Sequence, residues 1–287
     1  LFRLSGYIST LKSGWVDGNA NPIVETTAGA IVRVDACNGF AQRALELAKQ
    51  TAIEKARKNG VCIIAIRNSH HLAALWPDVE MFALEGLVAL AAVSSISRVV
   101  PWGGHNPVYG TNPMAFAVPR PGNDPLVFDQ ASSAMAFGEI RIAAQSGHTV
   151  PQGVGVDRNG IQTTDPKAIV EGGSLLPFGG HKGSSIAMMI EVLASALTGG
   201  SFSFEFDFST HPGAQTPRTG QFVLLIDPQQ TGESNFARRI ERLIDTLRAS
   251  GQVRLPGDRR YQNRARSSSR GIAVSDNMME QIEGWQK

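Results

Sequence analysis

The stretch from residue 30 to residue 67 limits the possible folds more than any other. Residues 30–36 (AIVRVDA) alternate apolar and polar side chains, the period of a half-buried strand. Residues 41–58 then place Leu45, Ala48, Ala52 and Ala56 on one helical stripe, which Asn59-Gly60 ends. Residues 61–67 (VCIIAIR) are a short apolar run with the length of a buried strand. Strand, helix and strand in succession build a sheet with helices packed on it, so the chain is of the α/β class.

The rest of the chain fits that class. With 287 residues there is material for one large domain or two ordinary ones. Further strands are predicted at 87–94, 114–118, 125–128 and 222–227, separated by segments rich in Gly and Pro. Residues 184–197 (SSIAMMIEVLASAL) read as a helix apolar enough to be buried on most sides. Its one acid, Glu191, is expected to pair with a buried donor. Residues 234–250 predict a helix with Phe236, Ile240, Leu243, Ile244 and Leu247 on one face and Gly251 after it. Residues 254–271 are basic and loop-like, and VSDNMMEQI predicts a last short helix capped by Ser275 or Asp276. At the other end, Leu4, Ile8 and Leu11 share a helical face that Gly14 closes. That helix begins abruptly and without a methionine, so further residues are expected upstream of Leu1.

Several functional classes lose support at once. The net charge of +2 points neither to nucleic acid nor to an acidic surface. No apolar run has the length of a membrane span. Cys37 and Cys62 lie in apolar, strand-like runs and read as reduced core residues of a cytoplasmic protein. The first strand–helix junction, RVDACNGFAQ, lacks the glycine fingerprint of a Rossmann site. GVGVDRNG, 153–160, carries Arg158 where the third glycine belongs. A P-loop and a G-x-S-x-G elbow are also missing. A metal site is not expected. His70 and His71 are adjacent and so point in different directions, while His105, His148, His181 and His211 are scattered singly.

Five stretches remain as candidates. NSHHLAALW, 68–76, leaves a buried strand with two histidines followed by small residues. FGGHKGSS, 178–185, sets glycines, His181 and Lys182 at a helix N-terminus, which suits either an anion or a plain glycine-rich helix entry. FDQASSAMAFGEI, 128–140, puts Asp129 at the end of a strand, either as a site acid or as a helix cap, with Glu139 farther on. YGTNPMAF, 109–116, is a turn before a strand. Arg254 to Arg260 form a basic stretch able to hold a 2′-phosphate or simply to be solvated.

Taken together, RLSGYISTLKSG, RVDACNGFAQ, IAIRNSHHLAALWPDVEMFALEGLVAL, YGTNPMAFAVP, LVFDQASSAMAFGEI, TTDPKAIVEGGSLLPFGGHKGSSIAMMIEVLASALTGG and RLPGDRRY resemble the malate/L-lactate dehydrogenase family. That family binds NAD(P) on a non-Rossmann α/β fold. The resemblance implies a discontinuous sheet and dimerisation domain, residues 1–67 and 249–287, and a central cofactor-binding domain, 68–248. It implies a homodimer that uses NADPH rather than NADH. Cofactor contacts are expected from His71, Leu72, Ala73, Ala74 and Leu75, from Asp129, Gln130 and Ala131, from His181 and Lys182, and from Arg254, Leu255, Pro256, Gly257, Asp258, Arg259 and Arg260. Substrate contacts are expected from Arg3, Thr111, Phe137 and Gly138. His70 is expected to fix the end of its strand.

In the family a histidine within Ser-His-Gly is the proton donor, and that motif would lie upstream of Leu1. Glu139 is its expected carboxylate partner. Where the family has His-Gly-Asp, this chain has Phe137-Gly138-Glu139. HHLAALWPDVE and FSFEFDFSTHPGAQTPRTGQ look most like members that reduce cyclic imino acids. The alternatives are a 2-oxoacid dehydrogenase acting on malate, lactate or ureidoglycolate, and a non-catalytic homologue that has lost its proton donor.

Overall fold

The computed structural model describes residues 3–232 and 235–285. Helix α1 (Leu4–Lys12) leads to strand β1 (Ile23–Thr26) and then to the predicted unit of β2 (Ile31–Phe40), α2 (Ala41–Asn59) and β3 (Val61–His70). The alanine stripe explains the unit. Ala44, Leu45, Ala48, Ala52 and Ala56 are all buried, and their small side chains let α2 lie close on β2 and β3, which run parallel. Gly60 ends α2 at φ +80°.

The chain continues through α3 (Trp76–Ala83), β4 (Val88–Val93), β5 (Met114–Val118), β6 (Leu126–Gln130) and α4 (Phe137–Ser146). Next come β7 (Gly155–Val156), β8 (Gln162–Thr163), α5 (Pro166–Val170) and β9 (Ser174–Leu175). Helix α6 (His181–Glu191) runs into a π-helical turn, Val192–Ala196. Strand β10 (Arg218–Ile226) and helices α7 (Phe236–Ala249), α8 (Asp258–Arg270) and α9 (Asp276–Trp285) complete the molecule.

Seven strands form one sheet in the order β1-β2-β3-β10-β4-β5-β6, antiparallel except for β2 with β3. This sheet continues past residue 67: β3 runs through that position, and β10 pairs with β3 on one side and β4 on the other. A main core of Val32, Leu45, Ile64, Ile66, Phe82, Leu87 and Leu225 lies between the sheet and its helices. A smaller core, Val99, Ile140, Val150, Val154, Ile169 and Leu175, gathers α4, α5 and the three-stranded sheet β8-β7-β9. Gly220 lets β10 lie directly on the π-helical turn, since a side chain there would collide with Thr198 and the Ala194 carbonyl.

Four expectations are corrected. The helix from 181 to 197 is not buried on most sides. It seats Gly183, Ala187 and Ile190 inward and leaves Met188 at 53% and Leu197 at 57% exposure. Residues 258–270 are helix α8 rather than loop, because Arg260 and Arg264 lie against the Trp76 ring and Glu80 binds Arg264 at 2.7 Å. Leu243 is exposed on α7, and only Ile244 of that face is buried. Cys62 is buried but Cys37 is only partly so, at a backbone bulge with φ +52°. Both cysteines are free thiols. The predicted start of the 234–250 helix falls at Ser234, outside the described residues. Among the described residues no helix is long and apolar enough to cross a membrane.

Candidate active site

A cleft of about 930 Å³ opens between the main sheet and α4. Its sheet side begins where β3 ends. His70 is fully buried, with Nε2 3.0 Å from the Asn38 Oδ1 and Nδ1 2.9 Å from the Thr216 hydroxyl. Asn38 donates its own amide to the Trp15 carbonyl, so its oxygen faces His70 and Nε2 must donate to it. Nδ1 then accepts from Thr216. Burial, helped by the charge of Arg218, pushes the His70 pKa down to about 4, so the ring is neutral near pH 7. His70 therefore joins β3 to the segment before β10, as its position predicts.

His71 turns the other way, into the cleft wall. Its Nε2 lies 3.1 Å from Asp78 Oδ2, and Gln221 donates to the same oxygen at 2.7 Å. The Ala73 N–H points at His71 Nδ1 at 3.4 Å, so that nitrogen accepts and Nε2 carries the proton. Asp129, near the end of β6, accepts the Leu75 and Trp76 N–H groups at 2.8 and 3.0 Å. Burial raises its pKa, while those two donors pull the other way. The carboxylate thus holds the N-terminal turn of α3, the helix-capping geometry, and still faces the cleft.

The cleft collects most of the predicted residues: Arg3, His71 to Leu75, Thr111, Asp129 to Ala131, Phe137 and Gly138. Arg3 donates to the Leu72 carbonyl at 2.9 Å. A second hollow of about 460 Å³ is lined by Arg254, Leu255, Pro256, Gly257, Arg259 and Arg260. Asp258 does not line it. Its carboxylate accepts the Leu255 N–H at 2.9 Å and so fixes the loop. Trp76 of α3 links the walls of the two hollows: the Arg260 guanidinium lies 4.7 Å from its ring centroid, and its backbone N–H donates to Asp129.

Besides Asp258, three predicted residues lie outside both hollows. His181 and Lys182 are exposed at the start of α6, and Glu139 is exposed in the first turn of α4. Other lining residues went unnoticed in the sequence. Arg98 and Arg141 add two guanidinium groups, and Asn277, Met278 and Gln281 bring in helix α9. The one available signal was the i, i+4 spacing of Asn277 and Gln281 on a short amphipathic helix.

Asn112 is a further residue whose turn-like context concealed its role. It is fully buried at φ +33° and accepts from the Ser95 N–H at 3.1 Å. It donates to the Ala187 carbonyl at 3.1 Å and to Glu191 at 2.8 Å. Glu191 also receives the Ser203 hydroxyl and its N–H, the latter at 3.1 Å, so its expected pairing with buried donors is borne out. This network ties α6 to the loop that carries Thr111.

Fold and cleft define an α/β protein with an arginine-lined cleft beside a sheet without a glycine fingerprint. Comparison narrows this further. The sequence profile of the malate/L-lactate dehydrogenase family matches residues 1–283, and the chain belongs to that family. It is 58% identical to a Δ1-pyrroline-2-carboxylate/Δ1-piperideine-2-carboxylate reductase of Pseudomonas syringae pv. tomato, over 99% of this chain and 82% of the relative. It is 54% identical to a protein of the same name from Pseudomonas putida, over 99% of this chain and 83% of that one. A crystal structure of Δ1-piperideine-2-carboxylate reductase from P. syringae pv. tomato superposes with a TM-score of 0.97 at 57% identity, covering 99% of this chain and 86% of the other.

Proposed function

We propose that this protein reduces cyclic imino acids with NADPH, converting Δ1-piperideine-2-carboxylate to L-pipecolate and Δ1-pyrroline-2-carboxylate to L-proline. The observation that carries this reading is the charge of the cleft. Its lining holds three guanidinium groups, Arg3, Arg98 and Arg141, and one carboxylate, Asp129, already engaged by two N–H groups. Such a site favours an anion of modest size, and a cyclic imino acid presents one carboxylate beside the carbon to be reduced.

The bound cofactor supplies a hydride to the carbon of C=N, and the imine nitrogen keeps the proton it already carries. The protein's part is to hold and orient. Ala73 and Ala74 allow a planar ring to approach the backbone after β3. Their turn is fixed by Asp129 from one side and by the His71–Asp78–Gln221 group from the other. Arg254, Arg259 and Arg260 form a basic hollow next to this turn, suited to the 2′-phosphate that distinguishes NADPH from NADH. His71, the small residues after it and Asp129 to Ala131 would hold the rest of the cofactor.

The same reading includes a homodimer. The exposed apolar side of α6 and the π-helical turn after it, with Met188, Met189, Val192 and Leu197, is an apolar surface of the kind subunits bury against each other. The test is a substrate panel with the full-length protein and both cofactors, followed by loss of NAD(P)H absorbance. Reduction of Δ1-piperideine-2-carboxylate with NADPH is expected. Oxidation of NADPH with pyruvate or oxaloacetate but not with the imine would overturn the reading.

A further inference from the structure

Trp76 opens helix α3 and serves two segments at once. Its backbone N–H donates to Asp129 at 3.0 Å, and its ring packs against the main core. Two arginines of α8, four residues apart, lie against that ring. The guanidinium carbon of Arg260 is 4.7 Å from its centroid, and that of Arg264 is 5.1 Å away. Tyr261 fixes α8 beside the ring, because its hydroxyl donates to the Pro125 carbonyl at 2.9 Å.

The two arginines differ in what balances their charge. Glu80, itself buried, binds Arg264 at 2.7 Å and neutralises it. Arg260 makes no ion pair among the described residues, and its Nη1 is enclosed without a hydrogen-bond partner. An aromatic face attracts a guanidinium through its quadrupole and leaves the net charge in place, whereas a carboxylate cancels it. Arg260 thus keeps its charge while it is held, and it lines the basic hollow. No acid lines that hollow. Arg254 and Arg259, its other two arginines, are exposed, and among the described residues neither has a ring or a carboxylate to fix it.

We propose that Trp76 is a positioning residue for cofactor selection: its ring holds Arg260 charged and unpaired at the wall of the basic hollow, where the guanidinium takes the 2′-phosphate of NADPH. Arg264, on the same ring, is the compensated neighbour that ties α8 to α3. The proposal rests on the reading of the protein as an NADPH-dependent reductase and deepens it. Because the N–H of the same tryptophan fixes Asp129, the phosphate end of the cofactor and the turn after β3 share one anchor.

The test compares wild type with Arg260→Met, Trp76→Leu, Trp76→Phe and Arg264→Met, with folding checked by circular dichroism. The readout is the ratio of kcat/KM with NADPH to kcat/KM with NADH. Arg260→Met is expected to lower that ratio by roughly 10- to 100-fold. Trp76→Leu should lower it by roughly 3- to 10-fold, and Trp76→Phe, which keeps a ring face, should retain most of it. Arg264→Met should leave it within about twofold of wild type. Calorimetric titration with adenosine 2′,5′-bisphosphate and with AMP, two ligands that differ only in the 2′-phosphate, should give the same order for the ratio of affinities. An unchanged ratio in Arg260→Met, by kinetics and by calorimetry, would overturn the proposal. So would an equal loss with NADPH and NADH, which would give the arginine to the pyrophosphate, or an Arg264→Met loss as large as that of Arg260→Met. If the wild type reduces no cyclic imine, the functional reading fails, yet the two adenosine ligands still decide whether Arg260 and Trp76 select a 2′-phosphate.

Discussion

The two sides of the cleft are built in opposite ways. On the sheet side His70, His71, Asp78 and Asp129 each have a defined partner and lie in or against the main core. On the helix side Arg98 and Arg141 have no carboxylate partner among the described residues, and Gln145, Asn277 and Gln281 reach the opening from exposed helices. The first side fixes a shape; the second leaves hydrogen-bonding capacity for a ligand to complete. Substitutions on the sheet side should therefore be read first in stability, and those on the helix side first in kinetics.

The largest effect is expected where the satisfied networks are deepest. Glu191→Ala strands the Asn112 amide and two Ser203 donors in the interior and should cost about 4 kcal/mol in urea denaturation. A loss under about 1 kcal/mol would mean that the network is not held as a unit.

Next comes a pH effect. His70 has a folded-state pKa of about 4 against an ordinary 6.5, so between those values the unfolded chain binds more protons than the folded one. Its contribution is complete above pH 6.5 and declines as pH falls towards 4, by up to about 3 kcal/mol. His70→Gln removes this dependence. The stability advantage of wild type over His70→Gln should shrink on acidification, and a constant difference would contradict it.

Asp129→Ala takes the acceptor from two N–H groups at the head of α3 and should cost about 1–2 kcal/mol. It should also weaken NADPH binding in fluorescence titration, as should His71→Ala. Unchanged cofactor affinity in both would remove the 71–75 turn from the cofactor site.

The smallest change in stability is expected on the helix side. Arg141→Gln should leave the denaturation midpoint within about 0.5 kcal/mol of wild type while raising the substrate KM a fewfold. A large loss of stability there would erase the distinction between the two sides.

What the sequence revealed follows the same division. Where side-chain period sets structure, the reading was close: strand β5 falls at 114–118 as predicted, and β2, α2 and β3 lie where alternation and the alanine stripe put them. Contacts between distant segments left no local trace. Nothing in SSISRVVP shows that Arg98 will stack on Phe137, because the pair is made by the packing of the small core around Ile140 and Leu175. Helix α8 departs from the loop its sequence suggests for a related reason. Arginine is a good helix former, but the serines and flanking glycines suggest a loop until Trp76 and Glu80 are seen to receive Arg260 and Arg264. In the same way, the TN of YGTNPMAF reads as a turn until Glu191 and Ala187 are seen to lie against Asn112.

The place of β10 in the sheet has a consequence for how the molecule is made. It pairs with β3 and β4, which precede it by well over a hundred residues, and it separates them. Until it emerges from the ribosome, β3 and β4 are two apolar edges with no partner between them, and they would pair with other chains if left unguarded. The nascent protein is thus expected to depend on chaperones until residue 226 is free, and to fold slowly once it is, because the sheet closes around its last strand.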